Sequence, residues 1–130
     1  MKIQKGSYFA KTHEWISQER DNLYIMGISD FAQSELGDIV YIVLPGIEKT
    51  YKKGEKIGEV ESVKSVSEIY APVDLKIAGV NLNLNETPEL INSDPYTSGY
   101  IAKIELLGAA DTLDLMDADS YEAFISTIHD

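Results

Sequence analysis

Gly58-Glu59-Val60-Glu61-Ser62-Val63-Lys64-Ser65-Val66-Ser67-Glu68-Ile69-Tyr70-Ala71-Pro72 is the stretch from which the rest of the chain is best understood. Its two halves, within Glu55–Val63 and Val66–Ala71, read as strands separated by very little, and Pro72 ends the second. They meet at Val63–Val66, so the turn carries a single lysine, Lys64, among small or β-branched neighbours. A lysine at the end of a stiff hairpin projects its ε-amine where a foreign active site can engulf it. Lysines at hairpin tips are common and the chain has nine others, so the residue alone is weak evidence of a role.

Short strand-like runs continue on both sides. Upstream, Trp15–Gln18 and Leu23–Ile28 flank the polar Glu19-Arg20-Asp21-Asn22 and predict a hairpin. Ser29 or Asp30 can cap a short helix over Phe31–Leu36 that Gly37 ends. The β-branched run Ile39–Leu44, stopped by Pro45-Gly46, predicts a strand buried on both faces. Thr50–Gly54 reads as a polar connection, with Gly54 and Gly58 as turn and strand glycines. Downstream, Val73–Val80 predicts a strand, Asn81–Asn85 a turn, and Glu86–Ile91 a short helix with Pro88 in its first turn. Asn92–Pro95 reads as a loop and Tyr100–Leu107 as a strand. A last helix, capped by Ser120, carries Tyr121, Phe124, Ile125 and Ile128 at three- and four-residue spacing. The sum is one mostly β domain over residues 1–130, a flattened barrel or sandwich with short helices and a C-terminal helix.

Composition narrows the function. A formal net charge of −11 argues against nucleic acid and anionic membrane surfaces, which need clustered Lys and Arg. With no cysteine, the chain has no disulfide and no thiol nucleophile of its own. The longest apolar run, Ile39–Leu44, is far short of a membrane span. The first residues lack the character of a signal or transit peptide, so bacterial cytoplasm is the expected location. No nucleophile elbow, phosphate-binding loop, zincin helix or dinucleotide fingerprint occurs, and two histidines make a His-based metal site unexpected. His13 reads as a half-buried partner of a carboxylate, Trp15 and the eight tyrosines as core and rim packing, and Asp111–Glu122 as a solvated acidic face.

Glu61-Ser62-Val63-Lys64, with Glu68 and Ala71-Pro72 behind it, resembles the lipoylation site of glycine cleavage H-proteins. The likeness extends through Thr12-His13-Glu14-Trp15, Met26–Gln33, Leu36–Val40, Leu44-Pro45, Pro88–Asn92 and Asp94-Pro95-Tyr96, all in the family's order. Two positions depart from its pattern. Asp74-Leu75 stands where the family usually has Ser-Gly, which predicts a different local turn and an altered partner-facing surface, because leucine does not take φ > 0 cheaply. Tyr100 stands where Trp is common. Biotin carriers place Met on both sides of the lysine, whereas Val63 and Ser65 flank it here. Lipoyl domains of 2-oxo-acid dehydrogenases usually have Asp and Ala around it.

The resemblance implies a barrel-sandwich fold of the lipoyl and biotinyl carriers and a monomer. It implies lipoate in amide linkage to Lys64, attached by a lipoate ligase or a lipoyl or octanoyl transferase. The arm would take the aminomethyl group of glycine at a pyridoxal-phosphate-dependent glycine decarboxylase and present it to a folate-dependent aminomethyltransferase. A dihydrolipoyl dehydrogenase would then reoxidise it. Positions matching Thr12, Glu14 and Glu68 lie near the cleft that shelters the loaded arm; otherwise they are a turn hydroxyl and two solvated carboxylates. The chain itself would be a carrier and not an enzyme. Two further readings stay open: a relay that donates its lipoyl group to other enzymes, and an unmodified interaction domain.

Overall fold

The computed structural model describes residues 2–108 and 114–128. Along the chain run β1 (Tyr8–Phe9), β2 (Glu14–Arg20), β3 (Leu23–Ile28), α1 (Asp30–Leu36), β4 (Ile39–Val43), β5 (Thr50–Tyr51), β6 (Lys56–Ser62), β7 (Val66–Tyr70), β8 (Leu75–Val80), α2 (Asn83–Glu86), α3 (Leu90–Ser93), β9 (Ala102–Leu106) and α4 (Ala118–Ile128). Six strands form one sheet in the order β1-β2-β3-β9-β8-β5, and β4-β6-β7 form a second. Every pairing is antiparallel. Neither sheet closes on itself, and together they make the expected flattened barrel-sandwich.

Two apolar clusters hold the molecule. The larger, including Ile16, Met26, Ile42, Val60, Ile69, Ile77, Ile101 and Ile104, draws on both sheets. The smaller joins Phe9, Trp15, Phe31 and Tyr96 to Tyr121 and Ile125 of α4. Trp15 is fully buried there and its indole N–H donates to the Ile28 carbonyl at 3.0 Å, so it is a packing residue. Each such side chain contributes about 2 kcal/mol by leaving water. The second cluster fixes α4 against the first turn of α1, which matters for the cleft below.

Local chemistry set several boundaries as expected. Ser29 caps α1 by accepting the Ala32 N–H at 3.1 Å, and Gly37, at φ +80°, ends it. Elsewhere tertiary packing corrected the reading. Strand β4 forms, but Val40, Tyr41 and Val43 are 48, 57 and 43 % exposed. The three-stranded sheet covers only one face, and a register shift between Ile39 and Tyr41 turns two successive residues outward. Thr50–Tyr51 is a short strand paired with β8 and not a bare connection. The helix expected over Glu86–Ile91 is replaced by two single turns, α2 and α3, on either side of Pro88; Asn92 thus belongs to a helix. Helix α4 starts earlier than expected because Asp117, not Ser120, caps it: its carboxylate accepts the Ser120 N–H at 2.8 Å. That contact holds the Asp117 carboxyl below its ordinary value. Of the acidic stretch, 111–113 lie outside the described residues, as does His129; Asp114, Asp117, Asp119 and Glu122 are exposed.

Leu75 also differs from expectation. It opens β8 opposite Tyr51 and Leu106 and is fully buried. Its side chain fills the core, so it is not part of any surface a partner reads.

The hairpin rests on one close approach. Gly58 lies at a register shift of β6, and a Cβ there would stand 2.4 Å from the Val43 carbonyl oxygen. Because the obstacle is backbone, β4 and β6 must part to admit it. Gly58→Ala is expected to cost about 1–3 kcal/mol, read as a lower urea midpoint; an unchanged midpoint refutes the packing described.

Candidate functional site

Lys64 sits on a turn knotted by one hydroxyl. Ser62 Oγ, itself buried, accepts from the N–H groups of Lys64 (3.2 Å) and Ser65 (3.1 Å) and donates to the Ser65 carbonyl (3.2 Å). Ser62 N–H donates to the same carbonyl at 2.8 Å, and Val63 N–H to the Asp38 carbonyl at 3.1 Å. The tip is thus tied both across the hairpin and to the connection between α1 and β4. A small hydroxyl residue two positions before the lysine does this work; alanine would leave two N–H groups without their acceptor. Val63, Lys64, Ser65 and Val66 are all exposed.

The Lys64 side chain lies along Gly37. A Cβ on that glycine would stand 3.1 Å from Lys64 Cε and 3.7 Å from its Nζ. Asn92 fixes this resting place: its Nδ2 donates to the Gly37 carbonyl (2.9 Å) and Gln33 Oε1 (2.8 Å), while its Oδ1 accepts the Ile39 N–H (2.9 Å). Among the described residues Lys64 has no ion-pair partner. The amine is neither buried nor neutralised.

A cleft of about 350 Å³ reaches the residue that precedes Gly37. Leu36, next to Gly37, lines it together with Ile28, Phe31, Ala32, Val60 and Ser67. The three residues named with Lys64, Thr12, Glu14 and Glu68, line the same cleft. Their settings differ. Glu14 is 1 % exposed, accepts the Tyr70 N–H at 3.1 Å and is bonded by the Thr12 hydroxyl. Burial pushes its carboxyl up to about 7, against the pull of Thr12 and of the Tyr70 N–H. It is not the solvated carboxylate of the simpler reading. Glu68 is exposed and accepts the Tyr70 hydroxyl at 2.8 Å.

Two lining residues were not foreseen as part of the site. Glu35 on α1 adds a third carboxylate. His13 lies half-buried at φ +79°, and its Nδ1 meets the Tyr121 hydroxyl at 2.7 Å. Its hydrogen-bond partner is therefore a phenol and not the expected carboxylate, although Glu35 acts on it through space. Desolvation outweighs Glu35 and lowers the imidazole below its ordinary value. The i,i+4 position of Glu35 after Phe31 was the signal for the first, and the place of His13 between Thr12 and Glu14 was the signal for the second. Ile128, near the end of α4, completes the wall. Carboxylates and a hydroxyl set in an apolar lining suit a small cationic group on a partly apolar stem. Among the described residues no cluster of three His, Asp or Glu has the arrangement of a metal site, and no helix is long and apolar enough to cross a membrane.

Comparison with known proteins gives the same outline. A family model described as glycine cleavage H-protein matches residues 7–128. The glycine cleavage system H protein of Listeria innocua is 48 % identical over 122 residues, which are 94 % of this chain and 97 % of that protein. A probable glycine cleavage system H protein of Pyrococcus abyssi is 47 % identical over 128 residues, covering 98 and 95 %. The crystal structure of a glycine cleavage system H protein from Mycobacterium marinum superposes with a TM-score of 0.86 at 30 % identity, covering 95 % of this chain and 99 % of that one.

Proposed function

The chain belongs to the glycine cleavage H-protein family, and from that premise we propose that Lys64 bears its lipoyl group. The protein is a non-catalytic carrier component of the glycine cleavage system, so its work is to hold an arm, expose it and shelter what it carries. The observation that supports Lys64 is its exposed amine, without an ion-pair partner among the described residues, on a turn held by Ser62. Acylation replaces a cation with a neutral, largely apolar arm. Here that change breaks no ion pair and sets the arm beside apolar walls. The site fits the group.

When bound, lipoate supplies a dithiolane that takes up the aminomethyl group of glycine and is later reoxidised. The chain's own residues do the rest. Ile28, Phe31, Leu36 and Val60 exclude water from the cleft, which protects a hydrolysable cargo. Glu14 offers a carboxylate to the cationic end of that cargo, Thr12 orients it, and Glu68 offers a second carboxylate at the rim. Anchoring at Lys64 keeps the arm at high effective concentration for each visiting enzyme. Those enzymes are glycine decarboxylase, aminomethyltransferase and dihydrolipoyl dehydrogenase, with a lipoate ligase or a lipoyl or octanoyl transferase attaching the arm, in the cytoplasm. The net charge of −11 suits docking to basic surfaces on these larger partners.

Intact-mass spectrometry tests the sheltering role. Lipoylated protein is loaded with glycine and the decarboxylase, freed of that enzyme, and followed as the cargo mass disappears. The Glu14→Ala/Glu68→Ala variant is expected to lose its cargo several-fold faster than the parent chain. Equal decay removes both carboxylates from the account.

A further inference from the structure

A relay of hydrogen bonds crosses from α4 to the cleft wall. Tyr121 is fully buried and stacks on Phe9, with ring centroids 4.3 Å apart and planes 5° apart. Its hydroxyl lies 2.7 Å from Ser29 Oγ and 2.7 Å from His13 Nδ1. Ser29 Oγ already accepts the Ala32 N–H as the cap of α1. Ser29 is fully buried, so its own proton needs an acceptor, and among the described residues the Tyr121 oxygen is the one within reach. The phenol proton then has one destination, His13 Nδ1. In this direction the Ser29 and Tyr121 hydroxyl protons both have acceptors. That direction goes with a neutral imidazole whose proton is on Nε2. Protonating Nδ1 would reverse both bonds and strand the Ser29 proton in a buried site.

The surroundings give that neutrality a use. His13 lines the same cleft as Thr12, Glu14, Glu35 and Glu68. It is packed against Phe31 of α1 and Phe124 of α4, at centroid distances of 4.9 and 6.2 Å. Glu35, from α1, is the charge that favours its protonated form. Its left-handed backbone is held from both sides: His13 N–H donates to the Ala10 carbonyl and its carbonyl accepts the Ser29 N–H, each at 2.9 Å. A strained residue held this firmly is a candidate for function.

We propose that Tyr121, through the Ser29 relay, is a positioning residue that keeps His13 uncharged, so that the cleft presents carboxylates to a cationic cargo with no competing cation beside them. This rests on the reading of the cleft as the loaded arm's shelter. His13⁺ would neutralise Glu35 and repel an ammonium group held in the same cleft.

Tyr121→Phe tests it, because the ring stays stacked on Phe9 and only the hydroxyl is lost. In the full-length lipoylated protein the His13 ring, followed by NMR and assigned against His129→Gln, is expected to titrate at higher pH in the variant. The rate of cargo loss in Tyr121→Phe, divided by that of the parent chain, is expected to rise on the order of tenfold from pH 8 to pH 6. Adding His13→Gln, whose amide gains no proton, should remove that rise. A merely structural Tyr121 would give a ratio independent of pH, and that result, or an unmoved titration, overturns the proposal. The Glu14→Ala/Glu68→Ala variant separates the two failures. If its decay equals that of the parent chain, the shelter itself is wrong; if its decay is fast and the Tyr121→Phe ratio is still flat, only the relay is wrong.

Discussion

Lys64→Arg is expected to abolish lipoylation and leave the fold unchanged. The guanidinium keeps the positive charge and the stem along Gly37 but has no amine able to form the amide. The turn is held by Ser62 and by the Val63 N–H to Asp38 carbonyl bond, not by the lysine side chain. A surface replacement of this kind changes stability by no more than about 0.5 kcal/mol. Four of the nine other lysines are already paired. Lys56, Lys76 and Lys103 lie on strands and are paired with Glu59, Glu48 and Glu19. Lys53 is paired with Asp114. Incubation with lipoate ligase, lipoate and ATP should add one lipoyl mass to the parent chain and none to the variant, and the variant should support no glycine decarboxylation. A lipoyl mass on Lys64→Arg would move the attachment to another lysine and undo the proposal.

What the sequence made legible was what local chemistry decides. The turn at Val63–Val66, the Ser29 cap and the Gly37 stop each depend on residues within a few positions, so the hairpin and α1 were readable, although the part Ser62 plays in the turn was not. The outer face of β4 was not, because a run of Val, Tyr and Ile looks the same whether one or both faces are covered; only the second sheet's position tells them apart. Leu75 misled for a related reason. Its place after Asp74 suggested a strained turn, whereas the core takes its side chain. Lys64 was recognisable from its neighbours, and Thr12, Glu14 and Glu68 through the family's pattern. Their different burial was invisible, since Glu14 is enclosed only when β7 brings the Tyr70 N–H to it. His13, Glu35 and Tyr121 come from three separate elements and meet only once α4 has packed on Phe9. No spacing rule connects positions 13 and 121.

Glu14→Gln is expected to stabilise the protein at alkaline pH while weakening its function. The Glu14 carboxyl is raised from 4.5 to about 7, first by burial. With the native value above the unfolded one, the folded state binds more protons between these limits. The stability associated with protonated Glu14 is complete below pH 4.5, falls as pH rises through 7 and is absent above it. A shift of that size corresponds to about 3 kcal/mol, and the group is almost wholly enclosed, so solvent screening discounts it little. Glutamine keeps the shape and an oxygen for the Tyr70 N–H, and turns its amide towards Thr12, but never ionises. Urea unfolding should therefore show the variant more stable by about 2–3 kcal/mol at pH 8 and nearly equal at pH 4.5. The same difference at both pH values, or a less stable variant at pH 8, would show that Glu14 is not held against ionisation by its surroundings. The variant should also release its aminomethyl cargo faster, because a neutral amide attracts an ammonium group less than a carboxylate does. A buried carboxylate that weakens the fold is what selection for stability alone would remove. Its presence in the lining of the cleft, bonded by Thr12, is accounted for if the charge serves the cargo.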